Sequence, residues 1–355
     1  MVKRHLFAAT TLTGASTHAY RVAFRMTLCK RLASNLHDAS SQELHSENDL
    51  SGDESMSASR ESTVGFVGLG MMGGPMAKNI LNAGHTLVVY DVDPNKVDRC
   101  VALGARPADA PDDVGRQASI VVTMVDTTAQ AEEVITGARG VVASAQAGDV
   151  IVSMSTIDPA ALKKMRETLV PHGADLIDAP VSGMERGAHE GTLKAFVGGT
   201  PEALERVRPV LQAMTSEIIH FGPIGQGTTM KLVNNMLVQV AWISIAEALA
   251  LGAKAGLDPK QMVDVIGNAT GNSIAFQYSA PRILAREFDG IRMDITYKDI
   301  ELQTSLAKAL QVPMFIANVA QQVYQMGRAA GLGGEDGGSA IVKIYEQMTG
   351  VKVTG

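Results

Sequence analysis

The chain has 355 residues, a formal net charge of −6 and a mean hydropathy of +0.08, the profile of a soluble globular protein long enough for a large core and for two domains rather than one. The acidic balance, with no basic stripe interleaved with aromatics, argues against nucleic acid as a main partner. The two cysteines, Cys29 and Cys100, make neither a disulfide framework nor a C-x-x-C pair, and the eight histidines show no ligand spacing, so no structural metal is expected.

Residues 1–62 read as an N-terminal extension. Up to Leu36 the charges are Lys3, Arg4, Arg21, Arg25, Lys30 and Arg31 without one acid, whereas Asp38 to Glu61 holds seven acids against Arg60. The first part is basic, acid-poor and rich in Ser/Thr, as a mitochondrial transit peptide is, and the second has the composition of a disordered linker. An alternative start at Met56 leads straight into the first strand and would leave a cytoplasmic protein.

From residue 63 to 224 short apolar runs alternate with helix-like segments. Val64–Val67, Thr86–Tyr90, Ile120–Val125, Val150–Met154, Asp175–Ala179, Ala195–Val197 and Ile218–Phe221 are the strand candidates, which predicts an α/β domain with a mainly parallel, doubly wound sheet. Asp158-Pro159 and Thr200-Pro201 place a capping residue before a proline at the first helical position.

The run GFVGLGMMGGPMAKNI, Gly65 to Ile80, carries the most specific signal. A strand meets Gly68, Gly70 and Gly73 in the spacing G-x-G-x-x-G, and a helix-compatible segment from Pro75 to Ala83 follows. Gly68 permits the sharp bend, Gly70 lets the backbone approach a pyrophosphate, and Gly73 lets the helix pack closely, while the helix start offers free N–H groups. Gly68, Leu69, Gly70, Met71, Met72 and Gly73 are thus candidate dinucleotide contacts. The next strand ends in Asp91, about 20 residues further on, where a carboxylate accepts from a ribose diol and repels a 2′-phosphate. NAD is therefore expected over NADP, with the nearest basic residue, Lys96, set apart beyond Asp93 and Pro94; Asp91 could equally open a turn with Asp93-Pro94-Asn95.

Substrate must sit at the carboxyl ends of the parallel strands. Ser155-Thr156 supply small hydroxyls at one strand end. Asp178-Ala179-Pro180-Val181-Ser182-Gly183 follow another, where the Ser182 hydroxyl and Gly183 N–H could bind a small carboxylate or simply make a turn.

After Gly225-Gln226-Gly227 the pattern turns to long helical periods, so residues 225–355 are expected to form an all-helical substrate and oligomerisation domain, entered by a helix from about Thr228 to Ala255. Leu232–Ala253 is apolar, but Asn234, Asn235, Gln239 and Glu247 are costly in lipid, so a buried interdomain helix is expected and no membrane partner. Lys231 lies on the first turn of that helix and shares a face with Asn235, which points an ammonium and a carboxamide together into the interdomain cleft. A helix start and an apolar surround both lower a lysine pKa toward values useful in proton transfer. Tyr297-Lys298-Asp299 interrupts another helical pattern; Lys298 could steady the substrate or the nicotinamide, or Lys298 and Asp299 could be ordinary surface charges. GLGGEDGG, Gly331 to Gly338, reads as a loop between helices, with Ser339 capping the last one.

In order along residues 64 to about 348, GFVGLGMMGGPMAKNI, VVYD, STIDP, DAPVSG, GQGTTMKLVNN and Lys298-Asp299 closely resemble the β-hydroxyacid dehydrogenases of the 3-hydroxyisobutyrate dehydrogenase type. The resemblance implies a Rossmann-like domain, a helical domain that mediates homodimer or homotetramer formation, and NAD-dependent interconversion of a short 3-hydroxyacid and its semialdehyde. By position it implies Lys231 as acid/base, Asn235 orienting it and the substrate, and Ser182 with Gly183 holding the substrate carboxylate. Thr156 would contact the cofactor near the nicotinamide, Val125 and Asp126 would border it, and Lys298 would close the site. The chain departs from the family twice: Ser182-Gly183-Met184 stands where Ser-Gly-Gly is usual, and Val125-Asp126 where Leu-Pro is usual.

Reductases of tartronate, succinic or glyoxylic semialdehyde share every one of these motifs. Imine reductases generally lack the lysine. Decarboxylating 6-phosphogluconate dehydrogenases are longer and tend to carry Lys-x-x-His-Asn where this chain has Lys231-x-x-Asn234-Asn235. A catalytically silent NAD-binding or chromatin-associated module predicts loss of the lysine or an attached basic domain, and the chain shows neither.

Overall fold

The computed structural model describes residues 60–355; the transit-peptide and linker readings, Cys29 and the start at Met56 lie outside the described residues. Six strands, β1 (Thr63–Val67), β2 (Thr86–Tyr90), β3 (Arg106–Pro107), β4 (Ile120–Thr123), β5 (Val150–Ser153) and β6 (Asp175–Asp178), form one sheet in the order β3-β2-β1-β4-β5-β6. Every pairing in it is parallel. β1, β4 and β5 are buried at every residue, because helices cover both faces. Alternate residues therefore feed two cores: Phe66, Val122, Val152 and Ile177 point to one, Val67, Val121, Ile151 and Leu176 to the other.

The covering helices are α1 (Gly73–Asn82), α2 (Pro94–Val101), α3 (Pro111–Gln117), α4 (Thr128–Thr136) and α5 (Pro159–Leu169). Asp158 caps α5 by accepting from the Ala160 N–H. A smaller sheet, β7 (Val181–Ser182), β8 (Leu193–Val197) and β9 (Thr215–His220), follows with α6 (Met184–Glu190) and α7 (Pro201–Gln212), the latter capped by Thr200 as its Thr-Pro start signal predicts. β3 and β7 escape the sequence reading because two residues are too short to show a period. The run Ile120–Val125 stops being strand at Thr123 because the Val125 N–H turns away to the Ser155 hydroxyl, 2.8 Å distant.

The second half is helical: α8 (Gln226–Lys254), α9 (Pro259–Ile266), α10 (Ile274–Ala285), α11 (Met293–Ala309), α12 (Phe315–Ala329) and α13 (Val342–Thr349). α8 runs through its centre, burying Trp242, Ala246 and Leu249 against residues of α10 to α13. It is long and apolar enough to cross a membrane by length and composition. Here its apolar face builds a protein core, and its polar Gln239 accepts from Gln303 Nε2 at 2.8 Å.

Three local expectations are corrected. α8 starts at Gln226, two residues early, because Asp178 at the end of β6 accepts from the N–H groups of Gly225 (2.6 Å) and Thr228 (2.5 Å), which fixes the helix start around the left-handed Gly225. Lys298 lies inside α11 and interrupts nothing. Ser339 does not cap α13, whose N-cap is Ile341; its hydroxyl lies instead within hydrogen-bond distance of the Glu287 carbonyl (2.8 Å) and the fully buried Asp336 (2.7 Å), which also accepts from Tyr278.

Candidate active site

In a sheet of this order the strand sequence reverses between β1 and β4, and a crevice opens beyond their carboxyl ends. A cavity of about 250 Å³ occupies that place. The turn after β1 lines it with Gly70, Met71, Met72 and Gly73, the loop after β4 with Val125 and Asp126, and the loop after β5 with Thr156. β7 and the turn behind it add Ser182 and Gly183; α8 adds Lys231, Asn234 and Asn235, and α11 adds Lys298 and Asp299. Gly68, Leu69 and Asp91 stand behind the first turn, outside this lining.

The glycine turn is built for a ligand to lie against it. A Cβ on Gly73 would sit 1.9 Å from the Gly68 carbonyl oxygen, so only glycine lets α1 begin this close to the strand. A Cβ on Gly70 would meet no protein atom within 4 Å, so that face is open. The N–H groups of Gly70, Met71 and Met72 make no hydrogen bond among the described residues, at the amino end of a ten-residue helix where negative charge is favoured. These residues fit a dinucleotide pyrophosphate. Behind them Asp91 accepts from the Leu69 N–H at 2.6 Å and the Asp93 N–H at 2.9 Å, so it both braces the glycine turn and makes the turn that leads to Asp93, the N-cap of α2. Lys96 does not stand apart: its ammonium lies 3.5 Å from Asp91.

Lys231 is the sixth residue of α8, beyond the first turn, where the helix field has largely fallen away. Burial is what lowers its ammonium, from 10.5 to about 8; Asp299 pulls it back up and Lys298 pushes it further down. The side chain is half-buried and keeps access to the cavity, while the surrounding protein strips water from its charged end. Asn235, one turn on, donates to Asp299 at 2.8 Å and accepts from Asn234 at 3.3 Å. Asp299 is 5% exposed, so the reading of Asp299 as a surface charge does not hold.

Lys298 reaches across the cleft and donates to the carbonyl oxygens of Thr156 (2.7 Å) and Asp126 (2.9 Å). Ser155 is buried and serves the backbone rather than the cavity. Asp178 likewise braces α8; burial raises its carboxyl against the two N–H bonds that favour its charge. Met184 takes a left-handed φ of 58°, a conformation natural to glycine, at the position where the family usually has one. Sequence reasoning missed Arg292, the N-cap residue of α11, whose Nη2 lies 2.5 Å from Asp126 on the cavity wall. An arginine at a helix start carries no local signal of such a role.

A glycine-turn dinucleotide site sharing a cleft with a lysine of lowered pKa defines a nicotinamide-dependent oxidoreductase. The family described as the NAD binding domain of 6-phosphogluconate dehydrogenase matches residues 63–222, and the NAD-binding domain of NADP-dependent 3-hydroxyisobutyrate dehydrogenase matches residues 225–345. The chain is 40% identical to 2-(hydroxymethyl)glutarate dehydrogenase of Eubacterium barkeri over 82% of this chain and 97% of that one. It is 32% identical to the mitochondrial 3-hydroxyisobutyrate dehydrogenase of Rattus norvegicus over 83% and 90% of the two chains. The solved 3-hydroxyisobutyrate dehydrogenase of Salmonella typhimurium superposes with a TM-score of 0.74 at 31% identity, covering 80% of this chain and all of that one. The chain belongs to the β-hydroxyacid dehydrogenase family, in its 3-hydroxyisobutyrate dehydrogenase type, and its activity is hydroxyacid oxidoreduction with a nicotinamide dinucleotide.

Proposed function

We propose that the chain interconverts a short 3-hydroxyacid and its semialdehyde, with Lys231 as the acid/base. The observation that carries this reading is Lys231 itself, a lysine lowered to about 8 on the same cavity wall as the glycine turn. In oxidation the neutral Nζ takes the hydroxyl proton of the substrate; in reduction the ammonium returns it. A nicotinamide dinucleotide held by the Gly68 to Gly73 turn would supply the hydride chemistry for either direction. The Ser182 hydroxyl and Gly183 N–H hold the carboxylate, and Asn235, tied to Asp299, orients the hydroxyl toward Lys231. Gly68 to Gly73, Val125, Asp126, Thr156 and Lys298 form the cofactor side of the cleft. The carboxylate of Asp91, at the strand end that meets a ribose, favours NAD over NADP.

The two family matches meet at residues 222 and 225, which supports a division into a dinucleotide domain at 63–224 and a helical domain from 225 onward. Exposed apolar side chains on α8 (Val233, Leu237, Leu251) and α12 (Phe315, Ile316, Val319) support a homo-oligomer assembled through the helical half.

The test is a panel of 3-hydroxyisobutyrate, 3-hydroxypropionate, glycerate, threonate, serine, 4-hydroxybutyrate and 2-(hydroxymethyl)glutarate, each with NAD or NADP, followed by nicotinamide absorbance. Turnover of a 3-hydroxyacid with NAD preferred supports the reading. Failure of every acid with both cofactors overturns it.

A further inference from the structure

We infer that Arg292 is a specificity residue that receives a second carboxylate on the substrate, so that the preferred substrates are dicarboxylic 3-hydroxyacids. The inference rests on the proposed 3-hydroxyacid reading and names its substrate class. Three cations line the cavity. Lys231 handles the proton. Lys298 is committed to two carbonyl oxygens and to Asp299, 3.1 Å away. Neither is free for a distal anion.

Arg292 is placed differently. Its backbone is fixed by a bridge to Asp336 and by the neighbouring Met293 N–H donating to the Glu335 carbonyl at 2.7 Å, so its guanidinium projects from a rigid point. Among the described residues that guanidinium makes one hydrogen bond, from Nη2 to Asp126, and its Nε and Nη1 make none. The pair is 46% and 56% exposed, a solvent-screened contact that holds weakly, so an incoming carboxylate that engages the whole fork displaces Asp126 at little cost. The same cavity wall holds Trp242, 3% exposed, which closes it with apolar ring surface. Met184 and Ile295 supply apolar lining suited to the methylenes that separate two carboxylates.

Asp126, where the family usually has proline, then acts as an internal competitor that holds Arg292 until a dicarboxylate replaces it. A cofactor phosphate shares the anionic chemistry, and the experiment separates the two. The ratio of kcat/KM for 2-(hydroxymethyl)glutarate to that for 3-hydroxyisobutyrate is measured in the wild type, Arg292→Gln, Arg292→Lys and Asp126→Asn, together with the inhibition constants of glutarate and butyrate and the Kd of NAD.

The expected result is a wild-type ratio above one that falls by about tenfold to a hundredfold in R292Q, the range of a charge-assisted hydrogen-bonded contact, with partial retention in R292K and a rise in D126N. Glutarate should lose inhibition in R292Q more than butyrate does. A ratio unchanged across all variants overturns the inference, and so does a raised Kd for NAD in R292Q with the ratio intact, which would assign Arg292 to the cofactor. If R292Q fails to fold, D126N and R292K still decide the matter. Turnover of 3-hydroxyisobutyrate with a flat ratio leaves the 3-hydroxyacid reading standing while this inference falls; no turnover of any hydroxyacid removes both.

Discussion

Asn235 Nδ2 donates to Asp299 Oδ2 across 2.8 Å, and this bond ties the carboxamide one turn beyond Lys231 to the carboxylate that opposes the lowering of Lys231. Because neutral lysine is the base, hydroxyacid oxidation should rise with pH through about 8 and then level, while semialdehyde reduction should fall over the same interval. Asp299→Asn removes the charge that favours the ammonium, so the inflection in kcat/KM moves to lower pH. An inflection that stays put or moves up in that variant refutes the assignment of Lys231. The same lysine costs stability. Its pKa is 10.5 when unfolded and about 8 when folded, so the unfolded chain binds more protons between those values and stability climbs as pH rises through them. Below pH 8 the full penalty stands, roughly 3 kcal/mol. Lys231→Met should therefore raise Tm at pH 7 while turnover drops by about 10²- to 10⁴-fold.

The glycine turn allows two neighbouring substitutions to be told apart. In Gly70→Ala the new methyl meets no protein atom, so Tm of the free protein should hold while the Kd for NAD rises. In Gly73→Ala the methyl collides with the Gly68 carbonyl, and Tm itself should fall. Calorimetry with and without NAD reads both, and equal behaviour of the two variants would refute the placement of the cofactor at Gly70.

Met184 should be replaceable by glycine at small cost. Its left-handed φ of 58° costs about 1–2 kcal/mol, which offsets the backbone entropy of roughly 0.5–1 kcal/mol that glycine gives up on folding. Met184→Gly also opens the cavity it lines, so kcat/KM should shift toward bulkier hydroxyacids. A large loss of Tm with unchanged substrate preference would contradict this.

Leu237 on α8 and Phe315 on α12 are 68% and 80% exposed in the single chain, and the proposed homo-oligomer would cover them. Phe315→Glu, alone or with Leu237→Glu, should shift the sedimentation coefficient to that of a monomer. A wild type that already sediments as a monomer ends the oligomer reading.

The sequence disclosed most where one residue type has one physical use. β1, β4 and β5 are covered on both faces, so their apolar runs are continuous and legible, and the glycines that follow β1 have no other explanation than a tight turn with an open face. Lys231 and Asn235 could be paired because helical spacing is local. What could not be read was anything that depends on distant chain meeting in space. Asp178 caps a helix 47 residues away, Lys298 bonds a carbonyl 142 residues away, and Arg292 meets Asp126 across 166. The error about Lys231 has the same origin: its distance from the helix start depends on where Asp178 fixes that start.

The Asp178 contacts also govern how the cleft can open. Breaking its two short bonds to α8 would strand a buried carboxylate, at a cost of several kcal/mol. The Arg292–Asp126 pair, by contrast, is exposed and cheap to part. The two halves are thus sewn at Asp178 by buried bonds, and at Asp126 they are held by that exposed pair together with the Lys298 bonds to the Thr156 and Asp126 carbonyls, so any parting of the cleft should leave the Asp178 seam closed. Hydrogen exchange at the Thr228 amide should stay slow with or without cofactor, while protection around Asp126 follows ligand binding; fast exchange at Thr228 in the free protein would show that the seam itself opens.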